Sequence, residues 1–176
     1  MGISSGLGQG ALLPGLVLVK SQTIGSAVSS VTVSNCFSST YDNYKVMISG
    51  GTSSAAGGDD DLILQLTVNG TASTANYNMT NPYWSWGVTT TFVRTGGGAS
   101  FVYAGGIADS LYMNADLMLP FAAKYTTCSA FNIRNAVGGP TFGVHKVNTS
   151  YDGIKIAPSS GSTMTGGSIR VYGYRN

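Results

Sequence analysis

Apolar and polar residues in this chain alternate over short stretches, and each stretch is cut by a cluster of glycine, serine or asparagine. The clearest case is residues 62–68. There Leu62, Leu64, Leu66 and Val68 interleave with Ile63, Gln65 and Thr67, and the run stops at Asn69-Gly70. A period of two sends successive side chains to opposite faces of a strand, and Asn-Gly readily takes the two positive φ angles of a tight hairpin. The same rhythm returns at 28–33 and 44–49, 16–19 is a short β-rich run, and further candidate strands stand at 88–94, 100–107, 111–119, 125–134, 142–147, 153–157 and 168–174. No window carries the 3.6-residue period of a helix. Short strands punctuated by turn formers predict an all-β fold, a single antiparallel β-sandwich or jelly-roll. Glycine runs at 57–58, 96–98, 138–139 and 166–167 read as loop tips.

Composition supports this. Of 176 residues only 9% are charged and none is glutamate, which excludes coiled coils and helical bundles with their Glu/Lys-rich surfaces. A hydrophobic content of 43% is too high for a disordered Ser/Gly polymer. Residues 1–15 differ from the rest, being glycine- and serine-rich and uncharged, with isolated Ile3, Leu7, Leu12 and Leu13. These four side chains have no local core to enter, so the segment reads as an extended attachment arm and residues 16–176 as the sandwich domain. The apolar run at 11–19 is short, broken by Pro14, and preceded by no Lys or Arg. It fits neither a secretory signal nor a membrane span, so a soluble chain without membrane insertion is expected.

Several functions are disfavoured by what the chain carries. The formal net charge is +2, with basic residues scattered singly from Lys20 to Arg175, so no stripe exists to follow a nucleic-acid backbone. Cys36 and Cys128 are too few for a disulfide framework and too isolated for a zinc site; they read as small buried hydrophobes. The single histidine, His145, stands in Val144-His145-Lys146-Val147, where alternation sets it opposite the valines, as a surface or half-buried strand residue. With one histidine and seven aspartates, no catalytic constellation, resident metal or cofactor is expected. Asp42 and Asp152 each follow a tyrosine and read as turn residues before a strand. Asp59-Asp60-Asp61 reads as a solvated loop; the alternative, a Ca²⁺ loop, lacks the EF-hand spacing.

Aromatic residues are the richer signal. Pro82-Tyr83-Trp84-Ser85-Trp86 concentrates three rings, with Trp84 and Trp86 on one face of a strand and Tyr83 on the other. In the last strand Ile169 and Val171 point one way, and Arg170, Tyr172 and Tyr174 the other. Both segments suit core or subunit packing, with stacking on a glycan as the alternative.

Longer segments carry a resemblance. They are 15–24 (GLVLVKSQTI) leading into 29–33, 40–46 (TYDNYKV), 119–127 (LPFAAKYTT), 149–161 (TSYDGIKIAPSSG) and 165–174 (TGGSIRVYGY). Together they resemble small virion structural proteins of tailed bacteriophages, of the kind found in cyanophages and marine phages. The resemblance covers most of residues 15–176 and departs most around 70–105, as receptor- or neighbour-facing loops would. It implies a non-enzymatic β module on the particle exterior, a homotrimeric fibre, spike or head-decoration protein whose N-terminal segment plugs into other virion proteins. A glycan-binding receptor-recognition module at a fibre tip is the alternative it implies.

Overall fold

A computed structural model describes residues 15–55, 60–87 and 90–175. In chain order its strands are β1 (Leu16–Thr23), β2 (Val31–Val33), β3 (Asn43–Ser49), β4 (Thr52–Ser53), β5 (Asp60–Val68), β6 (Thr71–Ala72), β7 (Tyr77–Ser85) and β8 (Thr90–Gly98). They continue as β9 (Phe101–Ala108), β10 (Ser110–Met118), β11 (Thr126–Ile133), β12 (Val137–His145), β13 (Gly153–Pro158), β14 (Met164–Thr165) and β15 (Ser168–Tyr174). All named pairings are antiparallel, and there is no helix among the described residues. The expected all-β sandwich is what forms. The attachment-arm residues Ile3, Leu7, Leu12 and Leu13 lie outside the described residues, as does Asp59.

The predicted turn between β5 and β6 is made by Asn69 (φ 50°) and Gly70 (φ 77°), which close the Thr67–Ala72 and Val68–Thr71 pairs. Two positive φ angles match the twist of the flanking strands. Alternation then decides what is buried. Leu62, Leu64 and Leu66 of β5 meet Ile154 and Ile156 of β13 and Val31 and Val33 of β2 in one layer. The opposing layer supplies Tyr44, Val46 and Ile48 of β3, Leu111, Met113, Ala115 and Leu117 of β10, and Ile169 and Val171 of β15. Each large aliphatic side chain removed from water here contributes about 1.5–3 kcal/mol, and two apolar faces together form the core of a sandwich.

The larger layer runs β1-β15-β3-β10-β11-β12-β7-β8 and the smaller β2-β13-β5-β9. They share strand β10, which forks the sheet. One edge of β10 pairs with β3 along Tyr112–Met118; the other pairs first with β9, at Ser110–Met113, and then with β11, at Ala115–Met118. Two glycines make the fork possible. A Cβ on Gly105 would strike the carbonyl oxygen of Tyr112, and one on Gly106 that of Ile133. Only a residue without a side chain admits backbones this close.

Several sequence expectations are corrected. Gly138 and Gly139 are not a loop tip. They lie inside β12, where Gly139 sits against the Pro82 carbonyl and Gly138 beneath the Trp86 ring. The 142–147 strand starts earlier, at Val137, and ends at His145. The strand expected at 88–94 falls on β8 (Thr90–Gly98), which pairs antiparallel along β7 within the main sheet, with residues 88 and 89 outside the described ones. Asp60 and Asp61 are not loop charges but buried residues of β5. His145 is not at the surface but fully buried.

Candidate functional site

Three polar or concave places could carry chemistry, and each is best read from its partners. His145 lies on the inner side of β12. Its Nε2 is 2.6 Å from the Tyr151 hydroxyl and 3.2 Å from Ser73 Oγ, and its ring stacks on Tyr77 at 4.1 Å between centroids. Burial holds its pKa below the ordinary value. Its partners are hydroxyls, which pin a neutral ring in a core rather than orient an imidazolium as a carboxylate does. Tyr77 extends the network, its hydroxyl accepting the Leu66 N–H at 2.8 Å.

The aspartates at the start of β5 are held from distant parts of the chain. Asp60 accepts hydrogen bonds from the hydroxyls of Ser159 (2.7 Å), Ser160 and Ser162 (3.0 Å), which together latch the β13–β14 loop to β5. Burial alone would raise its pKa, but donation by Ser160, Ser159, the Asp61 N–H and Ser162 outweighs burial and lowers it. Asp61 takes Asn132 Nδ2 at 2.8 Å and the Arg134 guanidinium at 3.2 Å. These oxygens are occupied by the protein's own donors, and no group of three His, Cys, Asp or Glu side chains among the described residues is arranged to hold a metal ion. Asp152 Oδ2 accepts the Asn69 N–H at 2.9 Å, tying the β5–β6 hairpin to the turn before β13. Cys36 and Cys128 are buried free thiols, and burial pushes each up to about 12, far from a reactive thiolate. A small cavity of about 160 Å³ lies between Tyr41, Asp42, Leu119 and Phe121.

The larger feature is a surface. Alternation on the eight-stranded layer leaves its outer face uncovered, and that face divides. On β1, β15, β3 and β10 the outward residues include Lys45, Asp116, Arg170, Tyr172 and Tyr174, with Leu16, Leu18, Met47 and Met118 between them. Lys45 Nζ is 2.8 Å from Asp116 Oδ1 and 2.9 Å from Asn114 Oδ1; Tyr174 donates its hydroxyl to Asp116, and Arg170 Nη1 donates to Ser49 Oγ. Partial burial would lower the Lys45 pKa, but the bond to Asp116 and its charge raise it overall. Burial and then Asp116 raise that of Tyr174.

On β11, β12, β7 and β8 the outward residues include Phe131 and Ile133, Pro140 and Phe142, Pro82 and Trp84, and Phe92, with Ser129, Thr80 and Arg94 among them and Trp86 folded over Gly138. Phe92 is 73% exposed, Trp86 66%, Phe131 54%, and Trp84 and Phe142 50% each. A shallow groove of about 380 Å³ runs between Asn78, Thr80, Thr95, Phe142 and Val144, floored by Met79 and Gly143.

The structure therefore divides the residues singled out in the sequence. Trp84 and Trp86 do share the outer face, and Tyr83 lies on the other side of β7, beside Gly139. Arg170, Tyr172 and Tyr174 also face outward, as the alternation requires, but at the other end of the sheet. Phe92, Phe131, Ile133 and Phe142 were not anticipated. The signal lies in β11 and β12, where the intervening inward positions, Cys128, Ala130, Thr141 and Gly143, are too small to be the only apolar face of a strand. No family model, curated protein or solved structure matches the chain.

Proposed function

We propose that this chain is a non-enzymatic structural module of a tailed-phage virion, displayed on the particle exterior as a homotrimeric fibre, spike or head-decoration protein and attached to other virion proteins through residues 1–15. The observation that carries the reading is the aromatic half of the outer face. Exposed rings over four adjacent strands, without a catalytic cluster beneath them, are what a protein made to be packed against requires. The sequence resemblance given above supplies the particle. The test is immunogold labelling of purified particles with antibody against residues 16–176. Gold on the exterior of heads or tails is expected, and particles that stay unlabelled both intact and disrupted reject the assignment. A chain lacking residues 2–13 is expected to fold yet be absent from assembled particles; normal incorporation rejects the arm.

A glycan-binding fibre tip is the second reading. It is favoured by the neighbouring rings of Trp84 and Trp86 on one face, since sugars stack on exposed indoles. Quenching of tryptophan fluorescence by host-cell lipopolysaccharide, lost in Trp86→Ala, would support it.

A further inference from the structure

We infer that the aromatic half of the outer face is the surface through which copies of this chain pack on one another, an assignment that rests on the oligomeric reading above and names the contact it leaves open. Three observations favour a second copy as the occupant. The first is area. At about 150–250 Å² for a whole aromatic side chain, the exposed fractions of Trp84, Trp86, Phe92, Phe131 and Phe142 come to roughly 600 Å². A stable interface takes about 800 Å² from each partner, so the rings alone furnish most of one side, and a proportion so apolar is that of homo-oligomeric contacts.

The second is charge. Among the described outward positions of β11, β12, β7 and β8, Arg94 is the one ionisable side chain. Two copies can therefore meet here without like-charge repulsion, whereas a foreign protein selected by electrostatic complementarity would find almost nothing to read. The third is shape. The Trp86 ring stands over Gly138 at one end of β12, and the groove of about 380 Å³ lies beside Phe142 and Gly143 further along the same strand. Gly138 and Phe142 are four residues apart, about 13 Å at the rise of a strand. Knob and groove are thus separate features of one patch, so each copy can offer its indole to the groove of the next, a heterologous contact that can close into a ring. Sugar recognition needs polar side chains beside the stacking rings to bind hydroxyls. The paired neighbours of these rings are mostly without polar side chains, Pro140 beside Phe131, Gly138 beside Trp84 and Pro82 beside Phe92, and the hydroxyls of Ser129 and Thr80 flank Phe142 alone.

The experiment is sedimentation of the full chain at micromolar concentration, wild type beside Phe131→Ser/Phe142→Ser and beside Tyr172→Ser from the other half. The wild type is expected to sediment as a multimer. The double variant should associate roughly 100-fold more weakly and sediment as a monomer, with unchanged circular dichroism and the thermal midpoint that the wild type shows at dilutions where it too is monomeric. Tyr172→Ser should keep the wild-type mass. A monomeric wild type overturns the inference, as does a double variant that retains the multimer. A monomer whose tryptophan fluorescence is quenched by host-cell lipopolysaccharide assigns the face to sugar and overturns it equally. A wild-type multimer that is missing from particles counts against the virion reading while upholding this one.

Discussion

The β1–β15–β3–β10 half and the β11–β12–β7–β8 half of the outer face use the same pleat but meet water differently. In the first, the ionisable side chains are bound to one another. Asp116 gathers Lys45 and Tyr174, and Arg170 reaches Ser49 across the strand pair, so the exposed Leu16, Leu18 and Met47 are interrupted by satisfied polar groups. In the second, exposed rings on four adjacent strands stand with Pro82, Pro140 and Ile133, and among the described outward residues Arg94 is the one ionisable group. The first half can stand in solvent as it is. The second leaves surface whose free energy falls when something covers it. The lesson is that exposure of apolar residues is informative where they are contiguous, and unremarkable where polar groups break them up.

The comparison can be broken first at glycine. Gly139→Ala in the aromatic half drives a methyl into the backbone of Pro82 and Tyr83, neither of which can move without unzipping β7 from β12. A loss of about 3 kcal/mol or failure to fold is expected by urea unfolding. Gly173→Ala in the charged half strikes the Tyr41 side chain rather than backbone and should cost less, about 1–2 kcal/mol. Equal losses at the two sites would show that both halves are equally rigid.

Next in size is Asp116→Ala, which leaves the partly buried Lys45 ammonium without its carboxylate. A loss of about 1–2 kcal/mol is expected in the same measurement, with no change in sedimentation, because the change lies outside the aromatic half. A shift in oligomeric mass would mean that the charged half also takes part in assembly.

Opposite responses to pH are the third distinction. Burial lowers the His145 pKa in the fold, so the unfolded chain binds a proton that the folded one refuses. The stability this confers is whole above the unfolded value of 6.5 and is lost as pH falls through the lower folded value. The thermal midpoint should drop between about pH 7 and pH 5, and His145→Gln should remove the drop. Lys45 and Tyr174 run the other way. Both have raised pKa values in the fold, so their stabilisation is whole below the unfolded values of 10.5 and 10.0 and is lost as pH rises through the folded ones. Alkali should thus loosen the charged half and acid the underside of the aromatic half, as read by hydrogen exchange along β3 and along β12.

The smallest effect is on stability at the aromatic surface itself. Phe92→Ser, at a side chain 73% exposed, should change the unfolding free energy of the separated chain by less than about 0.5 kcal/mol, by urea titration at concentrations where it is monomeric. A larger loss would mean that Phe92 supports the fold.

Much of the framework was readable because alternation and turn chemistry are local. Strands β3, β5, β10 and β15 and the Asn69-Gly70 hairpin follow from residues that touch their own neighbours in sequence. Burial of Asp60 and Asp61 was not readable, because the groups that satisfy them, Ser159, Ser160, Ser162, Asn132 and Arg134, come from segments brought near only by folding. His145 is the same case, with Ser73 and Tyr151 as its distant partners. The aromatic face was hidden by a property of strands. A period of two separates a strand's faces without saying which is inside, and β11 turns Cys128 and Ala130 inward while Phe131 and Ile133 face water.

Strand β15 carries a consequence for the life of the chain on the ribosome. It sits between β1 and β3, two strands made far earlier, and is the only described element joining β1 to the sheet. Until Ser168–Tyr174 leaves the exit tunnel, β3 waits with one edge open and β1 waits with nothing to pair with. A nascent chain stalled before β15 offers bare strand edges to the next chain on the same message, while one that has passed it can be zipped at that seam.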